Sequence, residues 1–144
     1  MKLLAVNWRD LKNPEAGGAE VHLQEILTRL AAKGHEVTLF CANFAGGGRE
    51  DSYDGINVQR RGTWYNANYV LPYEVRSYLK DNECDIVVED INKIPFFLPM
   101  FVKQRVVAVV PHLFGATVFR ETNPLFASYV YMWERFIPFV YETC

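Results

Sequence analysis

The chain has 144 residues, enough for one domain with a substantial core, and it is half apolar and 22% charged, which excludes an intrinsically disordered chain. The net charge of −2 gives no reason to expect nucleic-acid binding, and no apolar run reaches the length of about 18 residues that a membrane-spanning helix needs. Three widely spaced cysteines fit no zinc spacing and no disulfide framework, so we expect a cytoplasmic protein and find no reason to expect a metal.

Apolar runs and periodicities predict alternating strands and helices. Residues 2–7 read as a buried strand, and 17–33 read as a helix because Ala19, Leu23, Leu27 and Leu30 recur on one face. The further predicted elements are a strand at 37–41, a loop at 44–49, a turn at 54–55, a strand at 56–60, a helix at 69–81, a strand at 85–89, a short apolar segment at 94–101, a strand at 106–110 and an aromatic-rich helix at 123–136. This order predicts one domain over 1–144, an α/β fold with a Rossmann-like, doubly wound and mainly parallel sheet.

A glycine pair opens the first predicted helix. Gly17 and Gly18 follow the first strand, so their backbone N–H groups lie at a helix N-terminus, where a phosphate can bind. Neither the dinucleotide fingerprint nor the P-loop pattern is present. The structural alternative is a flexible helix start, with Glu15 and Glu20 complementing the helix dipole.

Polar side chains follow the carboxyl ends of the strands, where open α/β sheets bind ligands. Glu89 and Asp90 could hold a sugar hydroxyl, or cap a turn and pair with Lys93. As neighbours in a strand they point to opposite faces, which argues against a paired acid and base. His112 could donate to a sugar hydroxyl or a phosphate, or bond to backbone. Trp64 could stack on a sugar face or pack in the core.

Three segments resemble family 4 retaining glycosyltransferases of the GT-B fold: 6–22, with Asn7 and the glycine pair, 88–97, and 110–117, with His112. The resemblance covers essentially the whole chain. It implies a two-domain enzyme with a nucleotide-sugar donor between two Rossmann-like halves, of which this chain is the N-terminal, acceptor-side half. The C-terminal donor-binding half is absent from the 144 residues, so the chain alone is expected to be inactive.

The resemblance also implies the chemistry and the partners. A hexosyltransferase would move a sugar from the nucleotide-sugar, which is a substrate and not a cofactor, to a hydroxyl of a carbohydrate or lipid-linked acceptor, with retention and without a metal. His112 would be the catalytic residue beside the transferred sugar, and Gly17 and Gly18 would approach the donor diphosphate. The residues expected to shape the acceptor or sugar site are Asn7, Arg9, Glu20, Trp64, Glu89, Asp90 and Lys93.

The expected cytoplasmic location includes peripheral contact with the inner face of the membrane, because the aromatic-rich segment could rest there.

Two functions other than the transferase stay open. A non-catalytic module that binds a nucleotide, a sugar or a protein is the main alternative. A nicotinamide-dependent oxidoreductase is disfavoured, because the second strand does not end in an acidic residue.

Overall fold

The computed structural model describes residues 1–92, 94–111 and 123–142. Its elements alternate along the chain much as the sequence predicts. In chain order they are β1 (Lys2–Val6), α1 (Gly18–Ala32), β2 (Glu36–Cys41), β3 (Glu50–Tyr53), β4 (Ile56–Arg60), α2 (Ala67–Asp81), β5 (Ile86–Asp90), a 3-10 turn (Leu98–Met100), β6 (Val106–Val109), α3 (Pro124–Glu134) and α4 (Ile137–Val140).

The six strands form one sheet in the order β3-β4-β2-β1-β5-β6. All neighbouring pairs are parallel except β3 with β4. Because α1 crosses from β1 to β2, and α2 crosses from β4 to β5, the sheet is doubly wound. The predicted Rossmann-like α/β class is confirmed.

The antiparallel edge strand β3 was not predicted from the sequence. Residues 50–53 alternate only between exposed and half-buried positions, so they lack the apolar alternation that marks a strand. The predicted turn at Asp54 and Gly55 is present, and it joins β3 to β4 as a two-residue hairpin with φ of 53° and 76°. Charged side chains on this edge discourage pairing with another chain.

The sheet has a core on each face. Leu23 and Leu27 of α1 pack on one face against Leu39 and Val58. The other face carries a larger cluster that includes α2 and the inner sides of α3 and α4, built from Leu4, Val6, Phe40, Leu71, Val75, Val87, Phe96, Val130 and Ile137. Burial on both faces explains why the central strands read as continuous apolar runs.

The predicted helix at 123–136 is shorter in the structure, and the short helix α4 follows it. α3 ends at Glu134, and α4 begins at Ile137 with Pro138 in its first turn, where the missing N–H of proline costs no helical hydrogen bond. No helix in the described ranges has both the length and the apolar character to cross a membrane.

The order in which strands are added to the sheet reverses between β1 and β5, although the two strands are parallel. From β1 the chain moves outward through β2 to β4, and it then returns to lay β5 on the other side of β1. Val6 is in register with Glu89, so the residues after them leave the sheet side by side. Such a switch point opens a crevice beyond the carboxyl ends of the strands, where ligands of open α/β sheets bind.

Candidate functional site

Three chain segments meet at the switch point. Asn7 follows β1. Gly17 precedes α1, and Glu20 lies in its first turn. Asp90 ends β5, and Asn92 lies two residues beyond it. Asn92 Nδ2 donates to Asn7 Oδ1 at 3.0 Å and to Glu20 Oε1 at 3.2 Å. One side-chain amide therefore ties all three segments together. We call Asn7, Glu20, Asp90 and Asn92 the switch-point cluster.

Asn7 shapes the start of the loop between β1 and α1. It is fully buried, its Oδ1 accepts the Trp8 N–H at 2.7 Å, and its Nδ2 donates to the Arg9 carbonyl at 3.1 Å. With the bond from Asn92, the polar atoms of the Asn7 amide are committed within the chain. Asn7 therefore orients the site, and its amide is not open to a ligand in this conformation.

Glu20 closes the first turn of α1. Its Oε2 accepts the Gly17 N–H at 2.7 Å, a contact that satisfies a helix N-terminal donor and places a negative charge at the positive end of the helix dipole. The Gly17 N–H is therefore already hydrogen-bonded within the chain. The N–H groups available to a ligand at this helix start are those of the next residues, beginning with Gly18.

Gly18 has no structural need to be glycine. Neither Gly17 nor Gly18 adopts a positive φ, and a Cβ built at Gly18 would meet no heavy atom within 4 Å. Both residues are exposed. Nothing in the described chain requires Gly18 to lack a side chain. The close approach of a ligand to the backbone would require it.

Asp90 is buried without a partner. It is 2% exposed, and among the described residues neither carboxylate oxygen has a hydrogen-bond partner. Burial, reinforced by the charge of Glu20, raises the pKa of Asp90 to about 7. A buried and unpaired carboxylate is costly, so it is a candidate for ligand contact.

Glu89 faces the opposite side of the sheet and has a structural role. Its Oε1 accepts the Phe96 N–H at 2.6 Å and its Oε2 accepts the Leu98 N–H at 3.1 Å. It is fully buried, and burial raises the pKa of its carboxyl above the ordinary value. In this structure Glu89 holds the 96–98 turn in the core, and its predicted sugar contact stays a prediction. The expected opposition of Glu89 and Asp90 agrees with this placement.

Arg9 and Trp64 lie near the same edge of the sheet but outside the cluster. Arg9 Nη1 donates to the Glu15 carbonyl at 2.8 Å, and Arg9 also pairs with the Glu15 carboxylate. Trp64 follows β4, two strands away from β1, with 68% of its surface exposed and an edge-to-face contact with Tyr65. An exposed indole can stack on a sugar face, but the structure does not bring it to the cluster.

A buried ion pair anchors the loop between β1 and α1. Arg60 at the end of β4 donates to Asp10 from Nε at 3.3 Å and from Nη2 at 2.5 Å, and the Tyr53 hydroxyl donates to Asp10 at 2.9 Å. Arg60 also donates to the Gly48 carbonyl and to Asp51. This network fixes the loop that delivers Asn7 and the glycine pair.

Sequence reasoning missed Asn92 and the Asp10–Arg60 pair. The signal for Asn92 was its position just past a strand end, like that of Asp90. Arg60 ends its strand in the same way, and Asp10 lies in the polar loop after β1. What the sequence could not give is the direction of each side chain across three separate segments.

Two predicted site residues, Lys93 and His112, lie outside the described residues, so their predicted roles stay predictions.

The described residues gather no group of three or more His, Cys, Asp or Glu side chains that could hold a metal ion. Cys41 is buried and Cys84 half-buried, and both are free.

Comparison with protein families identifies the chain. The model of Glycosyltransferase Family 4 matches residues 16–141, which covers the glycine pair, α1, all strands after β1 and the described part of α3 and α4. The chain belongs to this family. No curated protein matches it. The predicted family is confirmed, and the Glycosyltransferase Family 4 domain has a glycosyltransferase-type function.

Proposed function

We propose that this domain is the acceptor-side half of a retaining, metal-independent hexosyltransferase. It would transfer a sugar from a nucleotide-sugar donor to a hydroxyl of a carbohydrate or lipid-linked acceptor. The observation that carries the proposal is the exposed glycine pair at the start of α1, placed at the switch point of a Glycosyltransferase Family 4 domain. The donor enters as a substrate, and no cofactor is invoked.

The start of α1 supplies the electrostatic part of the reaction. When the bond between the donor sugar C1 and its oxygen breaks, negative charge grows on the leaving diphosphate. N–H groups fixed in a helix start stabilise that charge without reorganising. Because Glu20 holds the Gly17 N–H, the donors for the diphosphate are the N–H groups of Gly18 and Ala19.

The acceptor and the transferred sugar would lie along the same sheet edge. Arg9 follows β1, and the exposed ring of Trp64 follows β4, at the same carboxyl edge of the sheet. His112 would position the transferred sugar, and Lys93 would lie beside the acceptor. The acceptor hydroxyl would attack from the face that the leaving group departs from, and its proton would pass to the leaving diphosphate.

A second Rossmann-like domain would complete the donor site. The segment from α3 to α4 supports this part of the proposal, because it exposes four large apolar side chains: Leu125, Met132, Phe136 and Phe139. Exposed apolar patches mark contact surfaces. Peripheral contact with the inner face of a membrane is the other use we propose for such a surface, if the acceptor is lipid-linked.

The test is nucleotide-sugar turnover in the protein made from the whole source gene. UDP-glucose, UDP-galactose, UDP-N-acetylglucosamine and GDP-mannose are screened for release of nucleoside diphosphate, and the anomeric configuration of the product is read by NMR. With the donor and acceptor that give turnover, Gly18→Val should lower the rate on the order of a hundredfold, because its side chain would keep the diphosphate away from the N–H groups of Gly18 and Ala19. The position has room for a side chain to begin, because a Cβ at Gly18 meets nothing within 4 Å.

Ala32→Val is the matched control, because Ala32 is exposed at the opposite end of α1. It should keep wild-type turnover. Equal turnover in Gly18→Val and the wild type would remove the glycine pair from the mechanism. If no nucleotide-sugar is turned over while a nucleotide or a sugar still binds, the non-catalytic module replaces the transferase.

A further inference from the structure

Three buried oxygen atoms at the switch point lack a hydrogen-bond donor within the described chain: Asp90 Oδ1, Asp90 Oδ2 and Asn92 Oδ1. In a folded protein, buried polar atoms of this kind are rare, and each one costs free energy unless a ligand supplies the missing donor. They lie together at the place where the sheet topology opens a ligand crevice.

The amide of Asn92 is held in one orientation. Its Nδ2 donates to both Asn7 Oδ1 and Glu20 Oε1, so its Oδ1 is left as the free end of a fixed group. Asn7 is in turn fixed by its own bonds to the loop backbone. The Asn92 oxygen is therefore pre-oriented by hydrogen bonds, and the Asp90 carboxylate is confined beside it by burial alone.

The chemistry of these atoms selects the ligand. All three are hydrogen-bond acceptors beside a second carboxylate, Glu20, so an anion would be repelled. The described residues gather no group of three His, Cys, Asp or Glu side chains at this place. A ligand with two neighbouring hydroxyl groups matches the site, because one hydroxyl can donate to the carboxylate and the other to the amide oxygen.

We propose that Asp90 and Asn92 bind two adjacent hydroxyl groups of a sugar ring and so determine which sugar the domain accepts. This inference rests on the proposed transferase function and names the sugar-recognition atoms within it. The ligand would approach past Asn92, which is half-exposed, and the exposed backbone of Gly17 and Gly18. The sugar ring can belong to the donor or to the acceptor, since both carry adjacent hydroxyls.

The experiment follows the Asp90 carboxyl carbon by 13C NMR in the wild-type protein, assigned through bonds. The probes are UDP-glucose and GDP-mannose, the methyl α-glycosides of glucose and mannose, and free UDP and GDP. We expect a sugar-bearing probe to shift the Asp90 signal, and free UDP and GDP to leave it in place. A response to nucleotide-sugars alone assigns the site to the donor sugar, and a response to the methyl glycosides assigns it to the acceptor.

Affinity for the responding probe is then measured in Asp90→Asn and in Asp81→Asn, a control at an exposed aspartate at the end of α2. At pH 8, above the Asp90 pKa of about 7, Asp90→Asn should weaken binding at least about tenfold, because it replaces a charged acceptor of the sugar hydroxyl. Asp81→Asn should bind like the wild type. Because the NMR readout uses the wild-type protein, it does not depend on how the variant folds.

Equal affinity in Asp90→Asn and the wild type, or an Asp90 signal that no sugar probe moves, would overturn the inference. Binding of free UDP or GDP that ignores the attached sugar would overturn it as well, and would leave the transferase proposal standing. Failure of the transferase proposal has a different signature: no nucleotide-sugar is turned over, while glycosides still shift the Asp90 signal.

Discussion

Replacing Asp90 by asparagine should make the protein more stable at neutral and alkaline pH. The pKa of this carboxyl is raised in the folded protein from its ordinary value of 3.8 to about 7. Between these values the unfolded chain has lost the proton while the folded chain still binds it. The folded state therefore becomes less stable relative to the unfolded state as the pH rises from about 4 to 7.

The size of the effect follows from the displacement of the pKa. The rise of the pKa from 3.8 to about 7 lowers the free energy of unfolding by about 4 kcal/mol above pH 7. At pH 5 the same rise lowers it by about 1.5 kcal/mol. Asparagine has nearly the shape of the protonated acid and never ionises. The free energy of unfolding of Asp90→Asn should therefore exceed that of the wild type by an amount that grows with pH and levels off near pH 8.

Urea unfolding at pH 5, 7 and 8.5, followed by circular dichroism, measures this difference. Asp81→Asn, which removes an exposed carboxylate at the end of α2, is the control. Burial also raises the pKa of Glu89, but Glu89 is present in every variant, so its contribution cancels. A wild type that is as stable as Asp90→Asn at pH 8.5 would refute the reasoning, because it would mean that the carboxylate is paired or solvated.

Two further predictions concern the frame that holds the site. Arg60→Met should destabilise the protein by about 3–5 kcal/mol in urea unfolding, because it leaves Asp10 buried without its cation, and a loss below about 1 kcal/mol would contradict a buried pair. Gly62→Ala should cost more than Gly34→Ala in the same assay. Both glycines have positive φ, but a Cβ at Gly62 would lie 2.6 Å from Asn66 Oδ1 and one at Gly34 meets nothing within 4 Å, so equal losses would rule out the clash.

Local pattern was sufficient for the parts of the fold that bury apolar side chains. The strands around Val6, Leu39 and Val87 and the helix face with Leu23 and Leu27 are visible in the sequence, because burial imposes their spacing. The edge strand β3 could not be found in this way. Its residues are polar, and it is held by its pairing with β4 and by ion pairs of Asp51 with Lys12 and Arg60.

The site was predictable in position but not in detail. Parallel strands bring their carboxyl ends to one edge, which placed Asn7, Asp90 and the glycine pair together from the sequence. Strand alternation also separated Glu89 from Asp90. It could not say which of the two faces the crevice, since that depends on which face α1 covers. The contacts of Asn92 depend on side-chain directions in three segments, and no spacing rule records them.

The arrangement of charge at the start of α1 separates two kinds of ligand contact. Glu20 and Asp90 are buried, which defines an inner side of the site, and Glu20 already bonds the Gly17 N–H; Gly18 is exposed, on the outer side. A phosphate about 5 Å from an ionised carboxylate is opposed by about 3 kcal/mol at an effective dielectric constant of about 20. The inner side therefore favours neutral hydroxyl donors, and a diphosphate is favoured only outward of Gly18. A nucleotide-sugar would match this order, with its sugar hydroxyls on the inner side of the helix start and its diphosphate on the outer side.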